Sequence, residues 1–221
     1  MGGRGAWSAS TETDMRDGGG LSGGKWDKSH PAVTEPTTLK EAIGEKGRPM
    51  GIVKAFEGAN PFFSPFYREF SENCQRAVVA YELRRRGYKV TAQPTYEHDA
   101  LPMMIKGTGN GFWQGAFKGA KSEKIGASST EKARANLKAK MKEYGAGARA
   151  IVYVDWKSGG AHVFNAENIG GRIVFVDAQV GTRYNSKTIL NGTISSHTRI
   201  IRTDNLRISD RAKKSVWTEG A

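Results

Sequence analysis

The feature that most narrows the fold is a pair of apolar segments, 162–166 and 172–177, separated only by Glu167-Asn168-Ile169-Gly170-Gly171. Valine, isoleucine and phenylalanine favour a pleated surface, and paired glycines supply the positive φ of a two-residue hairpin loop. The two segments are therefore expected to form an antiparallel hairpin. A β-rich segment at 150–155 precedes it and another at 198–203 comes after it. Side chains alternate across a strand with period two, so the turn decides which residues share a face. A loop at Ile169-Gly170 sets His162 opposite Asp177, whereas a loop at Gly170-Gly171 sets it opposite Gln179. Either register puts His162, Asp177 and Gln179 on one face; a three-residue loop would break the parity.

Upstream, the pattern is helical. Cys74, Ala77, Val78 and Tyr81 recur at i, i+3, i+4 and i+7, one face of a helix over 74–86. Asn73 suits its N-cap and Gly87 its stop, and Arg84, Arg85 and Arg86 fall in the last turn, where the helix dipole favours cations. A short strand is expected over 88–92. A second helix is expected over 130–144, opened by a capping box of Ser128 and Glu131 and closed at Gly145. Residues 107–129 read as a glycine-rich loop and 209–216 as a short helix. Helix first and antiparallel sheet after is an α+β plan, and no internal repeat interrupts it.

The chain has 221 residues, room for one domain with a tail. Residues 1–24 hold eight glycines, and Pro31, Pro36 and Pro49 punctuate the next stretch. Such a segment buries too little apolar surface to offset its backbone entropy. Residues 1–57 are accordingly read as a flexible Gly/Pro-rich tail and lead-in, with one helical turn at 38–43, and 58–221 as the folded domain. No apolar run reaches the roughly 18–20 residues of a membrane span, and the first residues lack the apolar core of a signal peptide. The single cysteine, Cys74, excludes an internal disulfide and a cysteine-based zinc site. Glu97, His98 and Asp99 lack a further ligand, so neither metal nor cofactor is expected.

Cys74 stands at the start of a helix, where partial positive charge and unpaired N–H groups favour a thiolate and can receive an oxyanion. An inert, buried cysteine is the plainer alternative. A nucleophilic cysteine needs a base, and the base an orienter. Of the four histidines, His30, His98, His162 and His197, only His162 begins a strongly apolar strand, and the hairpin sets it beside a carboxylate.

These residues resemble a known family. Asn73-Cys74-Gln75-Arg76 with Ala80-Tyr81-Glu82-Leu83-Arg84-Arg85-Arg86-Gly87-Tyr88, then Gly160-Ala161-His162-Val163-Phe164-Asn165, then Val176-Asp177-Ala178-Gln179-Val180-Gly181, are similar in order and content to the papain-fold toxins. That family includes glutamine-deamidase-like effectors of polymorphic toxins and modules of phage head-associated proteins. The resemblance covers roughly 58–182. It implies a papain-like α+β fold with the nucleophile helix packed on an antiparallel sheet. It also implies Cys74 as nucleophile, His162 as base and Asp177 as orienter, with Gln179 as a supporting polar residue. Papain-type proteases carry an oxyanion-hole glutamine six residues before the nucleophile, where this chain has Arg68. The oxyanion donor is therefore open among the Cys74 N–H, Gln75 and Gln179, beside the neighbouring amide of Asn73.

The implied activity is deamidation of glutamine side chains in a target protein. Proteolysis on the same triad is one alternative. A basic nucleic-acid-binding module or a structural phage-particle module without chemistry is another. The basic reading rests on a net charge of +12 and on residues 118–142, which carry eight Lys or Arg against two Glu beside Phe112 and Trp113. Further implied partners are an immunity protein or a phage particle. Action in a reducing cytosol, after delivery by a secretion system or phage particle, would suit a free thiol.

Overall fold

The structure, a computed structural model, describes residues 36–95, 104 and 107–219. Among these residues, five helices precede or flank the sheet: α1 (Leu39–Ile43), α2 (Ile52–Glu57), α3 (Arg68–Ser71), α4 (Cys74–Arg85) and α5 (Thr130–Glu143). The strands run along the chain as β1 (Val90–Ala92), β2 (Glu123–Lys124), β3 (Arg149–Asp155), β4 (Ala161–Ile169), β5 (Arg172–Asp177), β6 (Thr182–Tyr184), β7 (Arg199–Arg202) and β8 (Val216–Thr218). β2, β7, β3, β4, β5 and β6 lie in that order in one antiparallel sheet, and β1 pairs with β8 in a second. This is the expected α+β plan.

The strand alternation sorts the core into two layers. Ile151, Tyr153, Val163, Val176 and Ile201 face the helix α4 through Ala77, Val78 and Tyr81. Ala150, Val152, Phe164, Phe175 and Ile200 face α5 through Ala133, Leu137 and Met141. The β4–β5 turn is the two-residue loop Gly170-Gly171, with φ of 58° and 93°, conformations that glycine adopts without strain. Of the two registers weighed, this is the one that sets Asn165 opposite Val176 and Ile169 opposite Arg172.

Buried charge pins α4 to the sheet. Tyr81 donates to Glu167 at 2.7 Å, and Arg85 reaches the same carboxylate through Nε at 2.6 Å and Nη2 at 2.9 Å. Arg149 binds Glu82 through Nε at 2.9 Å and Nη2 at 3.0 Å, and Arg86 adds a third contact at 2.7 Å. Burial and the Glu167 charge raise the Tyr81 pKa far above its usual value, so the phenol stays a donor.

Three expectations need correction. The cap of α5 is Ser129, which accepts from the Lys132 N–H, and not Ser128. Residues 209–216 divide into a 3-10 turn, Asp210–Lys214, and β8, because the chain must turn out to pair with β1. The folded unit also begins before residue 58. Thr38 and Glu41 form a capping box for α1, and Ala42, Ile43, Met50, Ala55 and Phe56 are buried in the core beneath α4 and β8. Helices of five and six residues leave no periodicity to read, although their apolar content suffices to seal that side. The expected tail at 1–35 lies outside the described residues, as do His30, Glu97, His98 and Asp99.

Candidate active site

Asp155 ends β3, β4 starts at Ala161, and between them Trp156-Lys157-Ser158-Gly159-Gly160 turns the chain back. His162 is thus the second residue of β4, and Asp177 the last of β5. Strand parity puts the two on one face, and His162 Nε2 lies 2.8 Å from Asp177 Oδ2. The helix α4 runs over the same strand, Asn165 donating to the Val78 carbonyl at 3.2 Å. Its first residue, Cys74, comes close enough to the imidazole to help hold a proton there. With Nε2 held by Asp177, Nδ1 is the ring nitrogen left for sulfur. Cys74, His162 and Asp177 are 7%, 7% and 3% exposed, so the three groups sit below the surface rather than on it.

Burial opposes charge on His162, but the Asp177 carboxylate, the hydrogen bond to it and the contact with Cys74 outweigh that. Together they push the imidazole pKa up to about 10. Burial likewise opposes charge on Asp177, yet His162, Tyr184 and the Gln179 N–H hold it below the usual carboxylate range. The pair is therefore imidazolium and carboxylate at neutral pH.

The supporting residues take roles that the chain order did not suggest. Asn73 precedes α4 but makes no side-chain cap. Its amide is 1% exposed and bonds reciprocally with Asn60, Nδ2 to Oδ1 at 2.9 Å and the return bond at 3.1 Å, with a further bond to the Gln93 carbonyl at 3.2 Å. The Arg76 N–H donates to the Asn73 backbone carbonyl at 2.8 Å, but the Asn73 side chain takes none of the first-turn N–H groups of α4. Asn60 also donates to the Gln179 carbonyl at 2.7 Å and the Phe70 carbonyl at 3.0 Å. One buried amide thus ties the start of α4 to the segment after Asp177. Gln179 works through its backbone, its N–H donating to Asp177 Oδ1 at 3.0 Å. Gln75 Oε1 accepts from the Phe112 N–H at 2.6 Å, which turns that carbonyl to the loop. A Cβ on Gly111 would lie 2.6 Å from the same oxygen, so the close approach requires glycine there. Arg68 pairs with Glu72 at 2.8 Å on the exposed face of α3.

Three groups escaped the sequence reading. The Trp156 ring stacks on His162, centroids 5.9 Å apart at 24°. The Tyr184 hydroxyl donates to Asp177 Oδ2. A second His–Asp pair also exists: His197 Nδ1 lies 2.7 Å from Asp155 Oδ2, the Tyr153 hydroxyl 2.5 Å from Oδ1, and the Gly107 N–H donates to Oδ2 at 2.7 Å. That buried carboxylate and Gln75 hold the 107–112 segment at its two ends. Only Trp156, directly after a strand and before a Gly-Gly turn, leaves a trace in the sequence pattern.

Part of the basic reading is spent inside the fold, although Lys118, Lys121, Lys124, Lys132 and Lys142 stay exposed. Arg84 is 3% exposed and bonds the Val90 and Lys54 carbonyls; Arg85 and Arg86 are held by Glu167 and Glu82. Trp113 is 1% exposed, which removes it as a stacking platform. Among the described residues no helix is long and apolar enough to cross a membrane.

Comparison with known proteins is consistent with this geometry. A family model described as papain fold toxin 1, glutamine deamidase, matches residues 72–182. That span runs from just before Cys74 to just past Gln179. No curated protein and no solved structure matches the chain.

Proposed function

The chain belongs to the papain fold toxin 1 family of glutamine deamidases, and on that premise we propose that it deamidates glutamine side chains of a protein target through Cys74, His162 and Asp177. The observation that carries the reading is the oriented base: imidazole Nε2 lies 2.8 Å from Asp177 Oδ2, with Cys74 near enough to bear on the charge of the ring. A merely structural cysteine has no need of an oriented base.

In this reading the Cys74 proton already rests on His162 Nδ1, a thiolate–imidazolium pair, and Asp177 holds that imidazolium in place. The sulfur attacks the carboxamide carbon, forming the C–S bond and placing charge on the amide oxygen. The Cys74 N–H, at the positive end of a twelve-residue helix, is the backbone donor this reading assigns to that oxyanion. Collapse breaks the C–N bond, and His162 returns its proton so that nitrogen leaves as ammonia. Water then attacks the thioester, gives one proton to His162 and its hydroxyl to the acyl carbon, and releases the glutamate carboxyl with the thiolate–imidazolium pair restored. Trp156 shields one face of the imidazole and keeps the His162–Asp177 bond out of bulk water, which strengthens it.

The test is mass spectrometry and ammonia assay on glutamine-containing peptides and proteins incubated with the purified chain. Amide-to-acid conversion with matching ammonia release, lost in Cys74→Ala, is the expected result. Backbone cleavage without side-chain conversion would favour the protease reading. Activity that survives Cys74→Ala would sink the cysteine mechanism.

A further inference from the structure

We propose that Tyr184 is a positioning residue for the reaction, acting on the His162 base through the carboxylate of Asp177. The inference rests on the triad reading above and adds a fourth member to it. Asp177 receives three donors. Oδ1 takes the Gln179 N–H at 3.0 Å, while Oδ2 takes both His162 Nε2, at 2.8 Å, and the Tyr184 hydroxyl. The phenol and the imidazole therefore compete for one oxygen.

The fold holds that hydroxyl still. Tyr184 lies on β6, opposite Phe175, while Asp177 lies opposite Thr182. Directly paired residues share a sheet face, so the tyrosine ring and the Asp177 side chain project on the same side. The ring then packs edge-on against Phe164, centroids 5.6 Å apart at 85°. Phe164 is two residues beyond His162 on β4 and so also on that face. The strands that carry base and orienter thus also seat the tyrosine. Burial and the Asp177 charge raise the phenol's own pKa well above its usual value, with a contribution from Cys74. It stays protonated and stays a donor throughout the range in which the site works.

A fixed donor on Oδ2 has two effects. The carboxylate cannot rotate about its Cβ–Cγ bond without losing a charge-assisted hydrogen bond, so the imidazole it orients is held as well. The donor also draws negative charge from the oxygen that faces Nε2. That makes Asp177 a weaker stabiliser of the imidazolium and lets His162 give up its proton more readily to the leaving nitrogen. Removing the hydroxyl should therefore raise the pH at which His162 titrates while loosening its orientation.

The experiment is a heteronuclear NMR titration of His162 in the full chain, wild type against Tyr184→Phe, with Tyr184→Leu as a second variant. Ammonia release from a glutamine peptide is measured in parallel. Phenylalanine keeps the ring against Phe164 and removes only the oxygen. The expected result for Tyr184→Phe is a His162 midpoint raised by about half to one pH unit, with kcat lowered, KM little changed and the melting temperature near wild type. An unchanged midpoint and kcat in Tyr184→Phe, with loss only in Tyr184→Leu, would mean that the ring merely packs and would overturn the proposal. A wild-type His162 that titrates as an ordinary imidazole near 6.5 would overturn the ion pair itself. That outcome is read from the wild type alone, so the two failures are separable.

Discussion

Replacing Asp177 by asparagine should invert the sign of the protein's response to pH. In the native fold the His162 pKa rises from 6.5 to about 10. A group whose pKa is raised on folding contributes stability that is fully present below its unfolded value and is lost as pH climbs through the folded value. Between about pH 6.5 and 10, His162 should therefore withdraw its contribution. Asp177 has the opposite linkage. Its pKa is held below 3.8, so its contribution is present above 3.8 and disappears as pH falls through the lower folded value. The pair is at full strength between these limits, at about pH 5 to 6. The His162 shift alone caps the effect at about 5 kcal/mol, at about 1.4 kcal/mol per pH unit, and removing one partner of a buried pair costs about 3–5 kcal/mol. Asparagine keeps the shape and its one oxygen can still accept from the Gln179 N–H, while its NH2 group replaces the oxygen that faces His162 and Tyr184, so about 3 kcal/mol at about pH 6 is expected. In the variant a buried imidazole faces no counter-charge, titrates low, and destabilises the fold as pH drops. Urea denaturation of both proteins at intervals from about pH 5 to 10 measures the difference directly. It should be largest at about pH 6 and shrink towards about pH 10. A difference that is flat across the range, or grows towards alkaline pH, would refute the assignment of charge to this pair.

Other consequences are testable by single substitutions. Glu167→Ala removes the carboxylate shared by Tyr81 and Arg85 and leaves a buried phenol and a half-buried guanidinium without it, so denaturant titration should show a loss of about 3 kcal/mol. Trp156→Ala uncovers one face of His162; its NMR titration midpoint should move down towards 6.5, since water then screens the Asp177 charge. Gly111→Ala places a methyl group against Gln75 Oε1 and must push that side chain off the Phe112 N–H. A rise in protease susceptibility at 107–112, with the global melting temperature nearly unchanged, is the expected signature.

The hairpin makes the site legible from the chain alone. Paired glycines and odd-even counting are enough to set His162 beside Asp177, because strand parity is a strict rule once the loop length is two. Cys74 is legible for a related reason, since the 3.6-residue period and Gly87 bound one helix on both sides. What the sequence hides is what depends on the third dimension. Asn73 reads as a cap, as asparagine before a helix usually is, but a partner thirteen residues upstream, Asn60, outcompetes the helix for its amide. Gln75 and Gln179 read as candidate oxyanion donors on proximity alone, yet Gln75 Oε1 is turned to the loop and Gln179 supports Asp177 through its N–H. Arg84, Arg85 and Arg86 read as helix-end charge, and they are instead buried or half-buried rivets between α4 and its surroundings. Nothing local announces that an arginine will find a carboxylate on a strand 82 residues away, as Arg85 finds Glu167. Tyr184 is invisible for the same reason, since only the β5–β6 register brings its hydroxyl to Asp177.

The central claim is that the Cys74 sulfur, armed by His162, attacks a glutamine carboxamide. Because Cys74 is the chain's only cysteine, covalent trapping is unambiguous. The measurement is intact-mass analysis of the full chain after incubation with a diazoketone analogue of glutamine, with peptide mapping of the product. A nucleophilic Cys74 predicts one adduct, on that residue, suppressed by excess glutamine peptide and lost in His162→Ala. An unlabelled Cys74, or labelling that proceeds at the same rate in His162→Ala, would contradict it.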